Sequence, residues 1–279
     1  MSHVEDHLID SGHDISVDRL SRDLRIAART MGPIEARYLV DAYYTMQENR
    51  KRSNNQKRSL EGEPSIIVGW LARQSTILEG QIKASLDEYT KHHLMGSWMR
   101  DVFGVGPVIS AGLLAHVDIT KAPTVGHIWH FAGIAGDDQR PSMKGQKRPY
   151  NTRLKTLCWH IGQSFMKFSN NEKCYYGHVY RERKAQEIFK NDALLFKPRA
   201  DISVGKVGKT TEAYKWYVQG KLPPAHIDAR ARRYAVKLFL SHMHGEWYER
   251  HFKMPPPNPY PVAHLGHAHV IKPGGKTKP

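Results

Sequence analysis

The chain has 279 residues, with 42 lysines and arginines against 27 acidic residues, a formal net charge of +15 and a pI near 9.7. A hydrophobic fraction of 40% with 25% charged residues is ordinary globular usage, which argues against wholesale disorder. The length suits one large or two small domains, and the charge predicts a polyanionic partner: nucleic acid, an anionic membrane or an acidic protein.

The positive charge is concentrated in one part of the chain. Residues 139–251 carry 23 basic and 9 acidic side chains, whereas residues 1–90 carry 12 and 14, and residues 91–138 carry 3 and 4. Residues 252–279 add 4 basic side chains and no acidic one. A solvated basic face with a flexible tail would explain this without a ligand, but the concentration of charge favours nucleic acid.

The sequence does not favour a membrane or secreted protein. No stretch of about 18 apolar residues is present, so no membrane-spanning helix is expected. Residues 1–18 lack the basic and apolar regions of a signal peptide. Cys158 and Cys174 are too few for a disulfide framework or a zinc site of cysteine pairs, so we expect a reducing, cytoplasmic location and no cofactor.

Apolar residues at helical spacing predict an all-α helical bundle, since strand-like alternation is scarce. Ser16 is the candidate N-cap of a first helix over 17–30, and Pro33 precedes a second helix over 34–52. Breaks are expected at Lys197-Pro198 and Leu222-Pro223-Pro224. The remaining helices are predicted over 64–93, 151–168, 174–191, 209–219 and 226–251.

Three regions follow from this pattern. An N-terminal helical region covers 1–95, a basic helical domain covers 96–253, and an extended Pro/Gly/His tail covers 254–279, since Pro255–Pro261 excludes helix. The helix over 64–93 has an apolar stripe that packs within its own domain or, alternatively, against a second copy in a homo-oligomer. The stripe consists of Ile67, Trp70, Leu71, Ile77, Leu78, Ile82, Leu86 and Tyr89.

The segment 101–119 predicts a helix-hairpin-helix. One helix ends at about residue 103, a Gly-Val-Gly hairpin follows, and Pro107 begins the second helix. Free amides at the hairpin would face a phosphate beside the positive end of the helix dipole and bind the DNA backbone, not the bases. The predicted DNA-binding residues here are Gly104, Val105, Gly106 and Val108. A purely structural turn is the alternative.

Several motifs follow one another after this point: Gly104-Val105-Gly106-Pro107, Ala111-Gly112-Leu113-Leu114-Ala115, Asp118-Ile119, Trp129-His130-Phe131-Ala132-Gly133-Ile134, Lys144-Gly145-Gln146-Lys147-Arg148 and Asn151-Thr152-Arg153-Leu154-Lys155-Thr156-Leu157. In this order the stretch resembles the C-terminal domain of bacterial insertion-sequence transposases that pair a RuvC-like DEDD nuclease domain with a helix-hairpin-helix domain. It also resembles compact transposase-like proteins of phage genomes, which lack the nuclease domain. The resemblance implies DNA binding in transposition or recombination, in a prokaryotic or phage-infected cell.

The chain departs from that family in two ways. The family's nuclease half is βαβ-rich with four acids that hold Mg²⁺, whereas residues 1–90 are predicted to be helical. The N-terminal acids are therefore expected to be caps and solvated charges: Asp14, Asp18, Asp23, Asp41 and Glu48. The family's nucleophilic serine corresponds to Ser142, displaced by about one residue; a loop serine is the favoured interpretation and a catalytic nucleophile the alternative.

Three basic groups follow the hairpin. The first is the predicted phosphate-binding segment and comprises Lys144, Lys147, Arg148, Arg153 and Lys155. The second and third comprise Arg181, Arg183 and Lys184 with nearby tyrosines, and Arg230, Arg232, Arg233 and Lys237. Aromatic residues between basic ones suit stacking on unpaired bases, but a place in the helical core is favoured.

Histidines cluster at 242–244 and again at His264, His267 and His269. Such spacing could ligate zinc, but no cysteine or acid accompanies the second cluster, so no metal site is predicted. We therefore expect a DNA-binding protein related to transposases, acting in mobile-element or phage DNA transactions. The alternatives are a catalytically active transposase or recombinase, and an oligomeric interaction protein that binds an acidic partner or RNA.

Overall fold

A computed structural model describes residues 20–60, 65–136 and 140–257, and within these ranges it contains eleven α-helices and no β-strand. The predicted all-α fold is confirmed. Close contacts divide the chain into two compact units, one ending at Tyr89 and the other beginning at Thr90. This division falls near the end of the third helix, a few residues before the boundary that we predicted after residue 95.

Three helices begin the chain: α1 (Arg22–Arg29), α2 (Pro33–Ser59) and α3 (Ile66–Lys91). The start of α1 is set by Ser21, whose hydroxyl oxygen accepts a hydrogen bond from the Leu24 amide at 3.2 Å. The helix therefore begins later than the predicted residue 17, and the proposed cap Ser16 lies outside the described residues.

Helices α2 and α3 run antiparallel. Arg37 at the start of α2 lies near Tyr89 at the end of α3. Further along α2, the Nε of Arg50 lies 2.6 Å from an Oε atom of Glu79, and Gln47 donates to the same carboxylate at 3.3 Å. These contacts hold the long helices of the first unit side by side.

The apolar stripe of α3 is buried over only part of its length. Leu86 is fully buried and Tyr89 nearly so, as intramolecular packing predicts. The first half of the stripe is exposed instead, with Ile67 at 75%. The other exposed residues of that half of the stripe are Trp70, Leu71 and Leu78, and Ile66 beside the stripe is exposed as well.

The second unit contains α4 (Gly96–Asp101), α5 (Pro107–His116), α6 (Val125–Phe131), α7 (Thr152–Lys167), α8 (Tyr175–Asp192), α9 (Lys197–Val204), α10 (Glu212–Val218) and α11 (Pro224–Phe252). A short 3₁₀ helix, Ile119–Lys121, follows α5. The central element is α11, which packs against α6, α7 and α8. Its Phe239 ring lies 5.6 Å from the ring of Phe165 in α7 and 5.3 Å from that of Tyr176 in α8.

Helices α9 and α10 pack on each other around Ala200, Tyr217 and Leu222. The predicted break at Lys197-Pro198 is wrong, because α9 begins there. Proline is tolerated in the first helical turn, where its missing N–H would have no intrahelical acceptor. The predicted break before α11 is confirmed, since Pro223 is the N-cap of that helix.

Candidate nucleic-acid interface

The structure contains the predicted helix-hairpin-helix. α4 ends at Asp101, slightly earlier than expected, and α5 begins at Pro107. Between them Gly104 adopts a φ of +90°, which favours glycine. The Val105 amide donates to the Val102 carbonyl at 3.0 Å and closes the turn.

The hairpin is anchored on α7. The Ser164 hydroxyl donates to the Gly104 carbonyl at 2.6 Å. A Cβ on Gly104 would lie 3.3 Å from the Ser164 Oγ and 3.4 Å from the Phe165 ring, so this glycine is required by close packing as well as by its φ. Gly104 and Val105 therefore position the hairpin.

Gly106 is the solvent-exposed residue of the hairpin. Its backbone is extended, and it occupies the N-cap of α5. The amides of Gly104, Gly106 and Val108 have no hydrogen-bond partner within the described ranges. Val108 is buried and Gly104 is half-buried, so Gly106 is the exposed donor, and its amide at the start of the ten-residue α5 suits a phosphate oxygen beside the positive end of the helix dipole.

The predicted phosphate-binding segment enters α7 from an exposed loop. Lys144, Lys147 and Arg148 are all exposed. The loop is fixed at its end by Asn151, whose backbone N–H donates to the Phe131 carbonyl at 2.8 Å. The Asn151 side chain then caps α7 by accepting from the Leu154 amide at 3.0 Å.

Tyr150 links this loop to the end of α6. A Cβ on Gly133, which has a φ of +67°, would lie 2.7 Å from the Tyr150 ring, so the ring covers the glycine backbone. The Lys155 ammonium lies 4.2 Å from the centre of that ring. A hydrogen bond with Ser142 and the nearby Lys155 charge lower the pKa of the Tyr150 phenol. Ser142, the candidate nucleophile, is thus an exposed loop residue beside a tyrosine.

The structure places the hairpin and the basic segment at opposite ends of α7. The hairpin contacts Ser164, near the end of that helix. His116, which ends α5, lies 3.5 Å from the Asn151 side chain at the start of α7. α5 and α7 therefore run antiparallel, and at 1.5 Å per residue the two sites are about 20 Å apart.

Many cations of the second and third basic groups are used inside the protein. Glu187 is 1% exposed and binds two guanidinium groups, with Nε–Oε distances of 2.7 Å to Arg183 and 2.6 Å to Arg230. Asp228 likewise binds Lys184 at 3.0 Å and Arg232 at 2.7 Å. The pairs Glu187–Arg230 and Asp228–Lys184 join α8 to α11, whereas the other two lie within one helix. Together they leave less positive charge for a ligand than the residue count suggests.

Two of the three tyrosines near these cations, Tyr176 and Tyr180, belong to the core, as favoured from the sequence, and Tyr175 is half-buried. Tyr176 and Tyr180 are each 4% exposed. The Tyr176 ring stacks 5.0 Å from Phe165, and the Tyr180 hydroxyl donates to the Asp228 carboxylate. Neither tyrosine presents a face on which a base could stack.

One feature of the basic domain was missed from the sequence. A cavity of about 200 Å³ lies between α7 and α11. Its lining residues are Ile134, Lys155, Cys158, Trp159, Gly162, Ala229, Arg232, Arg233 and Val236. Trp159 is 56% exposed at its edge, and only the pairing of two distant helices shows that it stands opposite basic residues of α11.

The described histidine pair is structural. His242 hydrogen-bonds to the Tyr176 hydroxyl at 2.8 Å, and His244 Nε2 contacts the Ala122 carbonyl at 2.8 Å. In the part of the chain that the structure describes, no group of three or more His, Cys, Asp or Glu side chains is arranged to hold a metal. The C-terminal histidines 264–269, with Asp14 and Asp18, lie outside that part.

Replacing His244 with glutamine is expected to reduce the loss of stability below neutral pH. Burial lowers the pKa of His244, as it does for His93 and His226, so the folded chain keeps them neutral while the unfolded chain protonates near pH 6.5. Stability therefore falls as the pH drops through that value. Glutamine retains an N–H for the Ala122 carbonyl and does not titrate. The urea concentration at the midpoint of unfolding should therefore change less between about pH 7.5 and 5.5 than it does in the unchanged protein. The exposed His251→Gln is the control, and equal pH dependence in both variants would contradict the assignment.

Comparisons with known proteins identify no relative. No protein-family model, no curated protein and no solved structure matches this chain. Along the described ranges, no helix combines the length and the apolar character needed to cross a membrane.

Proposed function

We propose that this protein binds DNA through the phosphate backbone, using the helix-hairpin-helix and the basic segment at the opposite end of α7. The observation that carries the proposal is the start of α5, where exposed Gly106 presents its unpartnered amide at the positive end of a helix dipole. Lys144, Lys147 and Arg148 add exposed cations.

The spacing of the two sites suits one duplex. A separation of about 20 Å corresponds to about six base pairs at 3.4 Å each, so both sites can contact phosphates of the same DNA segment. Contacts of this kind carry no base identity, which predicts binding with little sequence preference.

The motif order from residue 103 to 162 supports a relationship to transposases and a role in mobile-element or phage DNA transactions. We propose binding in preference to strand cleavage because Ser142 lies in an exposed loop, which agrees with the loop serine favoured from the sequence. Self-association through the exposed half of α3, and an acidic protein or RNA as the partner, remain proposals from the sequence. The exposed Ile67 and Trp70 are compatible with self-association.

Changing Gly106 to aspartate is expected to weaken duplex binding about tenfold, because a carboxylate would stand where a phosphate is bound. The matched control is Gly106→Ala. No atom lies within 4 Å of a Cβ at this position, and its φ of −92° suits any residue, so alanine should change affinity less than about twofold. Fluorescence polarisation of a labelled duplex, titrated with each variant at salt concentrations between about 50 and 200 mM, measures the two affinities.

Comparing Gly106→Ala with Gly106→Asp separates the effect of adding a side chain from the effect of adding a negative charge. Equal affinity of the aspartate variant and the unchanged protein would refute phosphate binding at the hairpin. Absence of duplex binding by the unchanged protein at low salt would refute the proposed function itself.

A further inference from the structure

The cavity between α7 and α11 has the volume for one aromatic ring system. Its volume of about 200 Å³ exceeds the roughly 150 Å³ of an engineered cavity that takes up benzene. It is smaller than the roughly 300–1,000 Å³ of pockets that enclose drug-sized ligands. A single planar group therefore fits, and a large cofactor does not.

The floor of this cavity is apolar and uncharged. Ile134, Ala229 and Val236 contribute aliphatic surface. Gly162 allows the two helices to approach, since a Cβ there would lie 3.3 Å from the Arg232 Cβ and 3.4 Å from a Val236 methyl. Burial raises the pKa of the Cys158 thiol to about 12, so it stays neutral.

The rim of the cavity carries an aromatic face and positive charge. Trp159 is more than half exposed, so part of its indole is open to solvent where it lines the cavity. Exposed Lys155 and Arg233 also line the cavity, on α7 and α11 respectively. Arg232 completes the lining, although its charge is shared with Asp228.

We propose that this cavity binds one unpaired nucleotide of a DNA strand, with the base on Trp159 and its phosphate near Lys155 and Arg233. An apolar slot with an exposed indole and flanking cations matches the two halves of a nucleotide: a flat aromatic base and an anion. An acidic peptide would use the cations but leave the slot empty, whereas a purely apolar ligand would leave the cations unused. The inference rests on the proposed DNA binding and adds recognition of single-stranded or locally opened DNA.

Nucleotide binding in this cavity, the nucleotide slot, is tested by measuring the affinity for a short oligothymidine and for the same oligomer lacking its bases. Trp159→Ala should weaken oligothymidine binding by about 5- to 100-fold, the range for losing one stacked base, while Trp159→Phe should stay within about threefold. Binding of the abasic oligomer should be unaffected by either change, because no base is present to stack. Trp70→Ala, which alters an exposed tryptophan of the first unit, is the matched control and should have no effect.

The outcomes separate this inference from the proposed function. If Gly106→Asp weakens duplex binding but Trp159→Ala leaves oligothymidine binding unchanged, the nucleotide slot is refuted and DNA binding stands. An equal loss for the abasic oligomer would also refute the slot, because Trp159 would then act without a base. If neither duplex nor oligothymidine binds at low salt, the proposed function and the slot both fail.

Discussion

Replacing Glu187 with alanine is expected to lower the free energy of unfolding by about 3 kcal/mol, the low end for breaking a buried ion pair. Glu187 is 1% exposed and pairs with Arg183 within α8 and with Arg230 across the contact between α8 and α11. The variant leaves two guanidinium groups facing each other without a counter-charge. Their side chains are 26% and 32% exposed, so partial hydration keeps the loss from being larger.

Urea unfolding of the full chain, followed by circular dichroism, measures this loss. Glu182→Ala on the same helix is the matched control, because Glu182 is exposed and its removal should cost less than about 0.5 kcal/mol. Glu187→Gln preserves the shape and should fall between the two. A loss for Glu187→Ala no greater than that for Glu182→Ala would show that the network does not hold α8 to α11.

Reversing two charges in the basic segment, Lys147→Glu with Arg148→Glu, is expected to weaken duplex binding about 10- to 100-fold at low salt. Both side chains are exposed in the loop before α7, so the fold should be unaffected. Each lost phosphate contact should reduce the slope of log affinity against log salt by about 0.9, giving a reduction of about 2 for the pair.

A matched pair of substitutions distinguishes location from net charge. Lys206→Glu with Lys209→Glu changes the charge by the same amount in an exposed stretch between α9 and α10. That variant should lose much less affinity and keep the salt slope of the unchanged protein. Equal losses in the two double variants would mean that DNA responds to overall charge and that the basic segment is not a binding site.

Sequence signals predicted turns and helix starts well where these depend only on residues a few positions apart. The Gly-Val-Gly-Pro sequence predicted the hairpin because glycine permits a φ of +90° and proline favours a helix start. The start of α1 and the helix α9 were mispredicted. At both places two signals competed: Ser16 against Ser21 as the cap, and Pro198 as a helix breaker against its tolerance in a first turn.

The sequence by itself determined that this chain is helical, that it contains a glycine hairpin and that its positive charge lies after residue 138. Only the tertiary structure decided which cations are exposed. Glu187 pairs with Arg230, and Asp228 with Lys184, across 43 and 44 residues of the chain, in addition to the partner that each acid has four residues away on its own helix. It also separated the hairpin from the basic segment and placed Trp159 opposite Arg233. Helix formation depends on neighbours within a turn, whereas ion pairing and cavities depend on which helices pack together.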